Sequence, residues 1–253
     1  EAVAAITNAG GYGVYGATRR FPHEIKEELA AIRKLVGDKA FGVDLVLPPG
    51  MPEHNSREAI EAEIPEEHKA FVEKLIDKFQ VPTATQPGMR TRFIRSTEIE
   101  EEQIQAVLDS SVDMFACGIG APAHVMKAAK ARGKTTLALI GSPHHVQRAI
   151  DAGVEILVAQ GYDAGAHTGP IGTYSLVPQI VDAAGDTPVL VAGGVATGRH
   201  IAAALAMGAQ GVWMGTAWLL SKEHQGHMHP VNTEKLMAAG SGDTVITRSE
   251  SGK

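Results

Sequence analysis

A chain of 253 residues, 44% hydrophobic and 21% charged, has the make-up of an ordinary globular protein, which excludes disordered, collagen-like and coiled-coil classes. Its net charge of −6 offers no electrostatic basis for binding nucleic acid or an anionic membrane surface. The single cysteine, Cys117, rules out an internal disulfide. No apolar run approaches the roughly 20 residues of a transmembrane helix, no secretory signal is visible, and a cytoplasmic protein is expected.

In chain order, residues 1–8 read as a helix and GYGVYG at 11–16 as a glycine-rich turn into a strand at 13–16. GYGVYG spells the G-x-G-x-x-G dinucleotide fingerprint, but that motif needs a strand before it and a helix at its end. Here a helix precedes and TRRFP follows. Residues 23–36 form an amphipathic helix with Ile25, Leu29, Ile32 and Val36 on one face. A strand at 40–47 follows, then helices at 66–79 and 100–108, a strand at 113–118 and a helix at 123–132. Beyond this point the alternation is regular, with strands at 135–141, 155–160, 187–192 and 210–215 and helices at 143–152, 174–184 and 198–207. Ser142 is placed to cap one helix, and Gly153, Gly185 and Gly208 stop the three. The strands are continuously apolar, as parallel strands are when both faces are covered.

The fold class is therefore α/β. Seven strands behind an opening helix imply one strand upstream, and eight is the count of a (βα)8 TIM barrel. The chain reads as one domain over 1–253 that lacks the first barrel strand. Both ends look cut, and 48–98, between strands 3 and 4 of the full barrel, reads as a helical or lid insertion. A doubly wound open sheet is the alternative, since alternation alone does not separate the two.

Three segments carry candidate chemistry. AGGVATG at 192–198 ends a strand and opens a helix, so bare backbone N–H groups and a helix N-terminus suit a phosphate. MGT at 214–216 ends the next strand, and loops after the last two barrel strands commonly hold phosphate. QGYDAGAHTG at 160–169 is a flexible loop that presents Asp163 and His167; an imidazole near neutrality suits a proton-abstracting base. Other groups read more plainly. His224, His227 and His229 lack the companion ligands of a metal site, and no metal is expected. His144 and His145 read as a solvated pair at a helix start, and Cys117 as a small buried hydrophobe. Arg90, Arg92 and Arg95 are either solvated loop charge or a clamp for an anionic substrate tail.

AQGYDAGAHTG, VLVAGGVATGRHIAAALAMGAQGVWMGT and ITNAGGYGVYG together resemble the nitronate monooxygenase family, formerly the 2-nitropropane dioxygenases. The similarity runs over essentially the whole chain and is strongest from 137 to 219. The resemblance implies an FMN-binding TIM barrel. It places the catalytic base at His167 and flavin contacts at Gln160, Gly165, Gly193, Gly194, Trp213, Met214, Gly215 and Thr216. Where the family has asparagine in a GVN triplet, this chain has Gly42-Val43-Asp44, so Asp44 takes that flavin-contacting place as a departure. The usual AGGH is AGAH here, at 164–167. The implied activity is oxidation of nitronates or nitroalkanes by O2 to carbonyl compounds and nitrite. The same barrel also resembles FMN-dependent reductases of enoyl thioesters or quinones, which use NAD(P)H. In both, the partner is a small molecule, and a homodimer is compatible with either.

Overall fold

The computed structural model describes residues 1–53, 56–85, 94–224 and 228–248. Seven parallel strands pair strictly in chain order: β1 (Val14–Gly16), β2 (Gly42–Val46), β3 (Met114–Ile119), β4 (Thr135–Ile140), β5 (Ile156–Gln160), β6 (Val189–Ala192) and β7 (Gly211–Trp213). A doubly wound sheet reverses its strand order at a switch point. This sheet never does, so it is an arc of a TIM barrel, as the strand count implies.

Side chains alternate across each strand and make two apolar layers. Val43 and Leu45 of β2, Phe115 and Cys117 of β3, and Leu157 and Ala159 of β5 point outward into the main core. That core also takes Ile25, Leu29, Ile32 and Val36 from α2 (Pro22–Val36), so the stripe read from the sequence is fully buried. Cys117 is buried there as a small apolar group. Met114, Ala116, Leu137, Val158 and Ala192 point the other way and form the barrel interior, with Trp213 packed against them.

Gly11 and Gly13 of GYGVYG serve packing, while Gly16 has open space where a Cβ would be. A Cβ on Gly13 would stand 2.2 Å from the Val3 carbonyl oxygen and 2.6 Å from Thr7 Oγ1, so α1 (Ala2–Asn8) rests directly on the start of β1.

Several boundaries differ from the sequence pattern for local reasons. The helix expected at 143–152 opens as a 3₁₀ turn, Pro143–His145, capped by Ser142 Oγ accepting from His144 N at 3.3 Å, and continues as α7 (Val146–Ala152). His144 and His145 are exposed. The helix expected from 100 begins as α5 at Thr97 (Thr97–Leu108), because Ser96 Oγ accepts from Ile99 N. β7 stops at Trp213, which leaves Met214–Thr216 to the following loop. Two helices had no apolar stripe to announce them: α3 (Arg57–Glu63) and α10 (Pro230–Ala238) bury no residue. α4 (Glu66–Phe79) also buries none, and its Phe71, Val72, Ile76 and Phe79 are exposed. α3, α4 and α5 all lie between β2 and β3. Among the described residues no helix is long and apolar enough to cross a membrane.

At the opposite end from the strand C-termini, one arginine ties three segments together. Arg33 of α2 donates to the carbonyls of Gly37, Lys39 and Ser111 at 3.0, 2.8 and 2.6 Å, and pairs with Asp113 at 2.7 Å. Its guanidinium lies 4.6 Å from the Phe41 ring centroid, and Asp113 also accepts from Phe41 N. Arg33→Ala is expected to cost about 1–2 kcal/mol, less than a fully buried charged network because both partners are part-exposed. A lower urea midpoint at unchanged m-value would show it; an unmoved midpoint would mean the network contributes nothing.

Candidate functional site

The loops at the C-terminal ends of β5, β6 and β7 meet. The β5 loop begins at Gly161, whose N–H donates to the Ala192 carbonyl at 3.1 Å. Tyr162 N donates to Ile171 O at 2.9 Å, which closes the loop at its base. Asp163 Oδ2 accepts from Thr173 N at 2.8 Å, at the start of α8 (Thr173–Ala184). That N–H, foremost, holds the Asp163 carboxyl below its ordinary range. Gln160 is buried, and its Nε2 donates to the His167 carbonyl at 2.8 Å, so it braces the loop that carries His167. On the far side, a Cβ on Gly169 would stand 2.8 Å from Gly141 O, so the loop also leans on the end of β4. The His167 residue is exposed at this rim.

Gly193 and Gly194 follow β6 with φ of +99° and +72°, a region that costs other residues strain. A Cβ on Gly193 would crowd Thr173 Oγ1 at 2.7 Å and Ala164 N at 3.1 Å; one on Gly194 would meet Asp163 Cβ at 3.5 Å. Thr173 Oγ1 donates to Gly193 O at 3.2 Å. A Cβ on Gly165 would lie 2.6 Å from Thr216 Oγ1, which brings the β5 loop onto the β7 loop. The Ala192–Trp213 register fixes β6 and β7 side by side beneath them. Thus Gln160, Gly165, Gly193, Gly194 and Thr216 are brought together with the His167 loop. Trp213 packs against the barrel interior, Met214 is half-buried, and Gly215 has open space where a Cβ would be.

The Ala196 and Thr197 N–H groups ahead of α9 (Gly198–Ala206) donate to His200 Nδ1 at 3.1 and 3.2 Å. His200 thus takes two N–H groups of the turn before the helix, and the positive-φ backbone of Gly193–Gly194 lies just ahead of them. Thr173 and His200 escaped the sequence reading because both act on backbone groups of a neighbouring turn. A hydroxyl one residue after Gly172 and a histidine three after Thr197 were the available signals.

Asp44 stands on another part of the rim, between β1 and β3. Its Oδ1 is covered and has no hydrogen-bond partner. A Cβ on Gly118 would lie 3.2 Å from its Oδ2. Burial pushes its carboxyl up to about 7, against the Gly118 N–H, which favours the charged form.

Of the three arginines read as loop charge or a clamp, Arg95 lies within the described residues. Arg95 Nη2 donates to Val46 O at 2.6 Å and pairs with Glu100 at 3.2 Å. Burial, with Arg19 nearby, lowers its pKa while Glu100 opposes this. Its charge serves a local pair at the end of β2. Arg90 and Arg92 lie outside the described residues, as does His227. His229 caps α10 through Nδ1, accepting from Val231 N at 3.3 Å.

A parallel barrel arc whose glycine-rich loops converge at the strand C-termini defines the class: a TIM-barrel enzyme fold, whose members commonly carry their sites at that rim. The chain belongs to the nitronate monooxygenase family, whose model matches residues 1–253. It is 40% identical to the "Putative monooxygenase Rv1533" of Mycobacterium tuberculosis, over 100% of this chain and 69% of that protein. It is 29% identical to a "Probable nitronate monooxygenase" of Staphylococcus aureus, over 99% of this chain and 69% of that protein. Among solved structures it is similar to FabK (M276A) from Thermotoga maritima, with TM-score 0.72 and 26% identity over 97% of this chain. The chain spans 65% of that FabK chain.

Proposed function

We propose that the protein is an FMN-dependent oxidoreductase that oxidises alkyl nitronates or nitroalkanes with O2 to carbonyl compounds and nitrite. The observation that carries the reading is the convergence of the His167 loop with the free glycine backbone after β6 and β7. Family membership and the 29% identity to a protein named as a nitronate monooxygenase support it.

The residues fit FMN. Gly193, Gly194, Gly215 and Thr216 would hold its phosphate through backbone N–H groups and the Thr216 hydroxyl. Trp213, Met214, Gly165 and Gln160 stand beside them, and the covered, unpartnered Asp44 Oδ1 offers a polar contact at the barrel mouth. When bound, the flavin supplies the electron exchange between substrate and O2. His167 takes the α-proton of a neutral nitroalkane and leaves the nitronate. Gln160 keeps that imidazole in place by holding the His167 backbone. Asp163 and Thr173 fix the loop ends.

Cofactor identity tests the proposal. The purified protein is expected to be yellow, and heat-released cofactor to have the mass of FMN. FAD, or no bound flavin after reconstitution with FMN, would overturn it.

A further inference from the structure

Asp44 is half-buried, and its covered Oδ1 is a polar atom that the fold, among the described residues, leaves without a partner. β2 sends Val43 and Leu45 outward to the helices, so Asp44 projects to the barrel interior at the strand's C-terminal end. Its Oδ1 is out of solvent and has no partner, and a buried acceptor without a donor costs roughly 1–3 kcal/mol. The neighbouring position on β3 is Gly118, and any larger residue there would press on the carboxyl. β3 thus makes room for this side chain and offers it the Gly118 N–H, but among the described residues no cation pairs with it.

The surrounding elements agree. β1 sets Gly16 beside it, and β3 sets Ala116 and Gly118. The titratable neighbour on β3 is Cys117, whose thiol is pushed up by burial first and by Asp44 next. Behind β1, the Tyr15 hydroxyl bonds Glu28 and accepts from Arg20 Nε at 2.9 Å, while Arg20 pairs with Glu28 at 3.4 Å. Arg95 pairs with Glu100, with Arg19 nearby. Among the described residues no ion pair reaches Asp44.

We propose that Asp44 binds the flavin as the neutral carboxylic acid, donating a hydrogen bond to the ring, so that taking up FMN also fixes one proton on the protein. This rests on the FMN reading above. A carboxylate can only accept; a carboxylic acid has one O–H to give, and an amide has two N–H donors at every pH. A ring that receives electrons gains negative charge, which a carboxylate opposes and an acid favours. With asparagine at this position the donor would be permanent; with aspartate it is present only while the group is protonated. Because burial of its carboxyl oxygens pushes Asp44 up to about 7, that condition matters at ordinary pH.

The linkage sign follows. Asp44 is raised, so the free protein loses its proton as pH climbs through about 7, whereas the complex keeps it. The FMN dissociation constant should rise by about tenfold per pH unit above about pH 7, while the complex holds its proton. FMN binding is measured by flavin fluorescence from about pH 6 to about pH 9 for the wild type and for Asp44→Asn. The FMN phosphate titrates near pH 6 in both, so the difference between them isolates position 44. The wild-type slope is expected to vanish in Asp44→Asn. A flat wild-type profile, or an equal slope in the variant, would overturn the proposal. Calorimetry on the wild type alone, in two buffers of different ionisation enthalpy near pH 8, gives a variant-free check. Uptake of about one proton per FMN is expected, and zero uptake would overturn it. Failure to bind FMN at every pH would instead overturn the cofactor reading itself.

Discussion

His167→Ala is expected to leave FMN bound but to cut turnover of a neutral nitroalkane by about 10²–10⁴-fold, the usual worth of a positioned general base. The structure makes the substitution informative. The loop is held by Gln160 on the His167 carbonyl, by Asp163 on Thr173 N and by the Gly169–Gly141 approach, none of which needs the imidazole. Those three ties to the loop backbone remain when the ring is truncated. A nitronate ionised beforehand no longer needs its proton removed, so its oxidation should fall much less. Steady-state rates on the two substrates give the comparison. Equal, small losses on both would return His167 to an ordinary loop residue. A large loss confined to an enoyl thioester or a quinone, with nitroalkanes inert, would move the reaction to the reductases.

The second large effect concerns the phosphate. Gly194 has φ +72° and room for a Cβ beside Asp163, at 3.5 Å. Valine there meets backbone strain more than crowding: a β-branched residue at positive φ is a genuine outlier, and such strain costs of order 1–3 kcal/mol. The turn can relieve it only by moving backbone that the proposal gives to the phosphate. Gly194→Val is expected to weaken FMN binding at least about tenfold, or about 1.4 kcal/mol. A titration of the apoprotein with FMN reads this directly, and unchanged affinity would place the phosphate elsewhere.

Much of the fold was legible because its signals are periodic and local. Ile25, Leu29, Ile32 and Val36 recur at helical spacing and are all buried; apolar runs such as 135–140 and 156–159 fall on β4 and β5. The barrel fold was inferred from the strand count, and the unbroken order β1 to β7 is that of a seven-strand arc of such a barrel. α3 and α10 were not legible, since neither buries a residue and their caps, Ser56 and His229, have no apolar stripe behind them.

The site was legible in its glycines and less so in its partnerships. AGGVATG and QGYDAGAHTG announced two loops, but their meeting depends on Gly193 against Ala164 and Gly165 against Thr216. Such contacts between loops on separate strands leave no spacing in the sequence. His200 on the turn before α9, and the Arg95–Glu100 pair, are likewise partnerships that the sequence did not announce. Asp44 is the opposite case. The residue stood out by identity, but its missing partner and the Gly118 beneath it became visible only with β2 and β3 in register.

The central claim is that a nitronate gives up electrons to a flavin held at this rim. The most direct measurement mixes the FMN-loaded protein, without oxygen, with a preformed alkyl nitronate or with NADH, and follows the flavin absorbance. Rapid bleaching by the nitronate, with little by NADH, is the predicted result. Rapid bleaching by NADH alone, with the nitronate inert, would contradict it.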